Sequence, residues 1–171
     1  MEYVIGIDPG LSGGLAFYNP KHLIVFPTPV VQVEFIKSGK KRKRSEMVLA
    51  DACDHIIEFT DIKYAYIEHV AAMGGQGVTS MFRFGQNFGQ WQGILGGLRI
   101  PTGLVRPQAW KKYHNLIGTD KGASLELARE LFPDNLASFK LKKHDGMAEA
   151  SLIAKYAWEL TEHNLLTCPV K

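Results

Sequence analysis

The chain has 171 residues, of which 46% are hydrophobic and 22% charged, with a formal net charge of +3. That balance argues against a disordered chain, and no apolar run is long enough to span a membrane. The length fits one domain over residues 1–171 with a core of ordinary size, and so mild a basic bias names no partner by itself.

Residues 2–8 read as a first strand, apolar on both faces from 3 to 7, as in a central strand covered by helices. Asp8-Pro9-Gly10 ends it, and Gly14–Tyr18 and Leu23–Pro27 continue a β-meander. A block of positive charge follows at Lys37, Lys40, Lys41, Arg42, Lys43 and Arg44, either a contact for a phosphate backbone or, more blandly, a solvated hairpin loop or a loop that stays disordered without DNA. Glu46–Phe59 has helical spacing, with apolar residues at 47, 48, 50, 52, 56, 57 and 59. Tyr64–Glu68 is then a fourth strand, parallel to the first because a crossover helix joins them.

Gly74–Gly77 forms a loop directly after Glu68, and Ser80–Leu98 reads as a helix with Phe84, Phe88, Trp91 and Leu95 at helical spacing. Gly85, Gly89, Gly93 and Gly97 recur every four residues along it. Each costs a helix about 1 kcal/mol against alanine, so this face is expected to pack against another backbone, as at a dimer interface. Leu104–Val105 is a short fifth strand, Gln108–His114 and Asp120–Leu131 are helices, and Asp145–Thr161 closes the fold against the sheet. The sum is an α/β fold, a five-stranded mixed sheet flanked by helices. Cys53 and Cys168 lack metal-ligand spacing, and Cys53 reads as a buried reduced thiol. The first residues are already a core strand with no basic leader, so a cytoplasmic setting is expected.

The chemistry lies in four acids. Asp8 and Glu68 each end an apolar strand, and parallel strands bring such ends together on one side. Asp145 and Glu149, four apart in His-Asp-Gly-Met-Ala-Glu-Ala, share a helical face. Carboxylates crowded this way repel unless a cation sits between them, and hard oxygen donors suit magnesium or manganese. The bland alternatives are a helix or turn cap for Asp8 and ordinary solvated helix acids for Asp145 and Glu149, with Asp145 also a fair N-cap. His144 and His69 sit beside the acids, where each is either a proton shuttle or a local hydrogen-bonder. Trp110 and Phe88 read as core residues rather than base-stacking ones.

Taken in order, Gly-Ile-Asp8-Pro-Gly, Tyr-Ile-Glu68-His-Val, Phe84–Gly89, Pro107–Lys112 and the Asp145/Glu149 segment resemble the RuvC-type Holliday junction resolvases, in particular their phage and organellar branch. The resemblance implies an RNase H-like fold and a homodimer that cuts opposed strands of a four-way DNA junction with two divalent ions, Mg2+ with Mn2+ as a substitute. It implies Asp8, Glu68, Asp145 and Glu149 as catalytic metal ligands; His144 is added to them here by its place beside Asp145. Phosphate contacts would come from Lys112 and Lys121, joined by Lys111, Arg83, Arg106, Lys41, Arg42, Lys43 and Arg44. Where the bacterial branch has aspartates three apart, this chain has Asp145 and Glu149, so how these two divide the ligand duties stays open. The aromatic wedge expected three residues after the glutamate is Ala71 here, leaving Met73, Phe82 or no residue for that role. A broader branched-DNA nuclease and a non-catalytic junction-binding module are the rival readings. An actin-like kinase would need a second phosphate hairpin and an adenosine motif, so no nucleotide cofactor is expected, and no membrane partner either.

Overall fold

A computed structural model describes residues 2–59, 61–69, 71 and 77–162. The main sheet has the order β3-β2-β1-β6-β7, built from β1 (Tyr3–Asp8), β2 (Gly14–Asn19), β3 (His22–Pro27), β6 (Ile62–Glu68) and β7 (Thr102–Val105). β1 pairs antiparallel with β2 and parallel with β6, and β6 pairs parallel with β7. The expected five-stranded mixed sheet is therefore present, and the strand pairing explains the early meander. Among the described residues no helix is long and apolar enough to cross a membrane.

Helices cover both faces, and strand alternation decides which residues meet which. Ile5, Ile7, Ala65 and Ile67 enter one core with Ala52 and Ile56 of α1 (Leu49–Ile57) and with Trp91, Ile94 and Leu95 of α2 (Val78–Gly97). Val4 and Tyr66 enter the other, with Trp110 of α3 (Pro107–Tyr113), Leu125 and Ala128 of α4 (Ala123–Leu131), and Leu152 and Ile153 of α5 (Asp145–Glu162). Even-numbered positions of β1 and β6 thus face α5. Asp8 and Glu68 are even-numbered, one step beyond the pairing of Ile7 with Ile67.

Glycine lets α5 lie directly on the strand. A Cβ on Gly6 would fall 2.3 Å from the Ala150 carbonyl oxygen and 2.4 Å from the Ala154 nitrogen. At the start of α5, a Cβ on Gly146 would fall 2.2 Å from the Ser12 carbonyl oxygen and 2.5 Å from the Gly13 Cα. The helix begins pressed onto the β1–β2 turn. Thr28 braces that turn by donating its Oγ1–H to the Gly10 carbonyl and its N–H to the Gly13 carbonyl.

The basic block is not a loop. It forms most of β5 (Lys40–Met47), which pairs antiparallel with β4 (Val30–Lys37) in a separate two-stranded sheet. Ser38 and Gly39 make the two-residue turn, both with positive φ, as hairpins of this length require. Glu46 and Met47 consequently belong to a strand, and the helix expected from Glu46 starts only at Leu49. Five charged side chains in a row from Lys40 to Arg44 remove the apolar alternation by which a strand is normally read. The helix expected from Asp120 begins at Ala123, after Gly122 at φ +104°.

Candidate active site

The end of β1, the end of β6 and the first turns of α5 meet at one point. Carboxylate oxygens of Asp8, Glu68 and Glu149 all lie within 4.8 Å of one another. Asp8 accepts a weak hydrogen bond from the Gly10 N–H at 3.4 Å. Burial, then the charges of Glu149 and Glu68, push its carboxyl from 3.8 up to about 8. Burial also raises Glu68, while its hydrogen bond from Trp110 and the charge of Lys111 pull the other way. Oxygen donors alone, held this close at this cost, fit a hard divalent cation.

Asp145 stands outside that triad. It is helical, in the first turn of α5 rather than an N-cap. Its Oδ1 is buried with no hydrogen-bond partner among the described residues, and its charge adds to the upward push on Asp8. An orphaned carboxylate oxygen beside three crowded ones again fits a cation site. His144 precedes it in a short 3₁₀ turn, Lys142–His144, with Nδ1 likewise buried and without a hydrogen-bond partner among the described residues. His69 is half-buried, and its backbone N–H bonds the Val105 carbonyl.

Three neighbours escape a reading of motifs. Trp110 is fully buried, as expected of a core residue, yet its Nε1–H donates to Glu68 Oε1 at 2.9 Å. Lys111 Nζ lies 3.2 Å from Glu149 Oε1 and 5.0 Å above the Trp110 ring centre. Ser124 Oγ–H donates to Glu149 Oε1 at 3.3 Å. The adjacent Trp110-Lys111 pair is visible in sequence, but not that one helix turn reaches two acids.

The cations fall into separate places. Lys111 and Lys121 line a groove of about 410 Å³ with Thr119, Ser124, Asp145 and Glu149. Arg44 and Arg83 line a second cleft, between β5 and α2, floored by Gln86, Asn87 and Gln90. Lys112 and Arg106 are exposed and line neither of these. On the hairpin, Lys43 pairs with Glu34 at 3.3 Å and Arg44 pairs with Glu46, whereas Lys41 and Arg42 have no ion-pair partner among the described residues. Phe82 is 73% exposed near the start of α2, and Ala71 is exposed. Met73, Gly74–Gln76 and Cys168 lie outside the described residues. Cys53 is a free thiol, half-buried rather than buried. Among the described residues, the glycine face of α2 meets nothing within 4 Å of a Cβ built at Gly85, Gly89, Gly93 or Gly97.

The fold is that of RuvC. The solved structure of T. thermophilus RuvC in complex with a Holliday junction substrate superposes with a TM-score of 0.59, covering 99% of this chain and all of that one at 13% identity. A second Thermus thermophilus RuvC structure gives 0.56 over 98% of this chain and 99% of that one, at 17% identity. In sequence, the chain is 36% identical over 95 residues, 55% of its length, to the chloroplastic Holliday junction resolvase MOC1 of Chlamydomonas reinhardtii. That match spans only 11% of the relative's own length. No protein-family model matches the chain.

Proposed function

We propose that this chain is a divalent-metal-dependent endonuclease that resolves four-way DNA junctions as a homodimer. The observation that carries the reading is the convergence of Asp8, Glu68 and Glu149 at the ends of two parallel strands and one helix. Its likeness to RuvC in fold and to a junction resolvase in sequence supports the same substrate.

Asp8, Glu68 and Glu149 would hold the cations, with the orphaned Asp145 oxygen completing the set. Two magnesium ions, replaceable by manganese, would activate water and stabilise the leaving 3′ oxygen. The scissile strand would enter along the Lys111–Lys121 groove, where both ammonium groups meet phosphate beside the acids. Lys111 would leave Glu149 for the phosphate, since the carboxylate then faces metal instead. His144 would take or give a proton next to Asp145. Arg83, Arg106, Lys112 and the hairpin residues Lys41, Arg42, Lys43 and Arg44 would hold the arms farther out. The open glycine face of α2 would pair with its copy, and two copies would present two sites to opposed strands. Such a protein belongs where junctions arise, the bacterial cytoplasm in the first instance.

The test is cleavage of an immobile four-way junction beside fork, flap and linear duplex, in Mg2+ and in Mn2+. Paired symmetric nicks in the junction, lost in Glu149→Gln while binding persists, are expected. Equal cutting of forks and flaps would replace the reading by a broader branch nuclease. Tight junction binding with no cutting in either metal would leave a binding module.

A further inference from the structure

We infer that Trp110 is the positioning residue of Glu68: its indole N–H fixes the direction from which that carboxylate enters the metal cluster. The inference rests on the metal-site reading above and deepens it. Glu68 is the last residue of β6, and its carboxylate lies where that strand ends. Asp8 is held by the Gly10 N–H of its own turn, and Glu149 by Ser124 and Lys111. Among the described residues, the Glu68 carboxylate has one side-chain hydrogen bond, from Trp110 Nε1 at 2.9 Å.

The donor suits the task. An indole N–H can only donate, so it occupies one oxygen of the carboxylate without competing for a cation. The ring has no exposed surface, and it belongs to the core that joins Val105, Leu125, Met147 and Leu152. The rigidity of that core therefore reaches the ligand through one bond. Lys111, seated over the ring, ties the same helix turn to Glu149. A hydrogen bond that orients a metal ligand from behind typically contributes about 10–100-fold in metal affinity.

Trp91 supplies the control. It is also fully buried, but in the opposite core, and its Nε1 has no hydrogen-bond partner among the described residues. Trp110→Phe and Trp91→Phe each remove an indole from a core, and only the first removes a bond to a ligand.

The experiment titrates Mn2+ into DNA-free protein, following binding by calorimetry and by loss of the free-ion EPR signal, with melting in EDTA as the check on folding. Trp110→Phe should raise the Mn2+ dissociation constant roughly 10–100-fold, and Trp91→Phe should leave it unchanged. Trp110→Phe binding as tightly as the natural chain would overturn the inference and leave the metal site standing. An equal loss in both variants would overturn it too, by showing a general loosening of the core. No Mn2+ binding by the natural chain would sink the metal-site reading and this inference together. Junction cutting plays no part in the titration, so an error about the DNA substrate would not alter its outcome.

Discussion

The α5 corner of the sheet and the β4–β5 hairpin hold opposite charges and are built in opposite ways. At the corner, glycines at 6 and 146 bring helix backbone against strand and turn, and each acid of the triad has a hydrogen-bonding neighbour. On the hairpin, every residue from Lys37 to Arg44 is exposed, and the ion pairs there join groups well open to solvent. Such exposed pairs are worth about 0–1 kcal/mol each. The contrast suits what the proposed function asks of each region. Cutting a phosphodiester requires oxygens placed to a fraction of an ångström, whereas gripping a phosphate backbone needs charge within reach.

The comparison breaks most sharply at Gly146. Gly146→Ala adds one methyl group at the corner, 2.2 Å from backbone, and the turn or the helix must give way. An overpacked core typically costs about 1–3 kcal/mol, or roughly 2–12 °C of melting temperature in a domain this size. Cutting should fall further, by about 100-fold or more for a shift of about 1 Å in the acids. Thermal melting in EDTA, set beside single-turnover cleavage, separates the two losses. A variant that melts and cuts like the natural chain would show that the corner is not rigid.

The hairpin should respond in the other sense. Lys41→Ala with Arg42→Ala should leave melting and saturated cutting unchanged while weakening junction binding. The slope of log affinity against log salt should flatten by about 0.9 for each phosphate no longer neutralised. Binding measured over a range of potassium chloride reads this directly. An unchanged slope would remove these two residues from the interface.

The two regions also differ in how far the sequence discloses them. Apolar runs ending in an acid put Asp8 and Glu68 at the ends of neighbouring strands, because strand alternation and parallel pairing follow from local pattern. The i, i+4 spacing puts Glu149 on the same helix as Asp145, but does not tell which of the two meets the triad. That depends on how far α5 is turned against the β1–β2 turn, a tertiary contact made at Gly146. Strand β5 is hidden by charge on both faces, and Trp110 by its own hydrophobicity: burial is legible, but not the direction of its N–H.

The most direct test of the acid cluster as a cation site is the melting temperature of the natural chain and of Asp8→Asn from about pH 6 to 9, in EDTA and in Mn2+. Asp8 titrates at about 8 in the fold against an ordinary 3.8, so between those values the folded state binds more protons than the unfolded one. Stability linked to that proton is fully present below about pH 4 and is lost as pH rises through about 8. The natural chain should therefore lose melting temperature in EDTA across that range, and Asp8→Asn should not share the loss. At its alkaline end, Mn2+ at about 100 times its dissociation constant should raise the natural chain by roughly 5–10 °C and Asp8→Asn far less. Parallel pH curves with equal gains from Mn2+ would contradict the account, because the carboxylates would then be neither crowded nor a metal site.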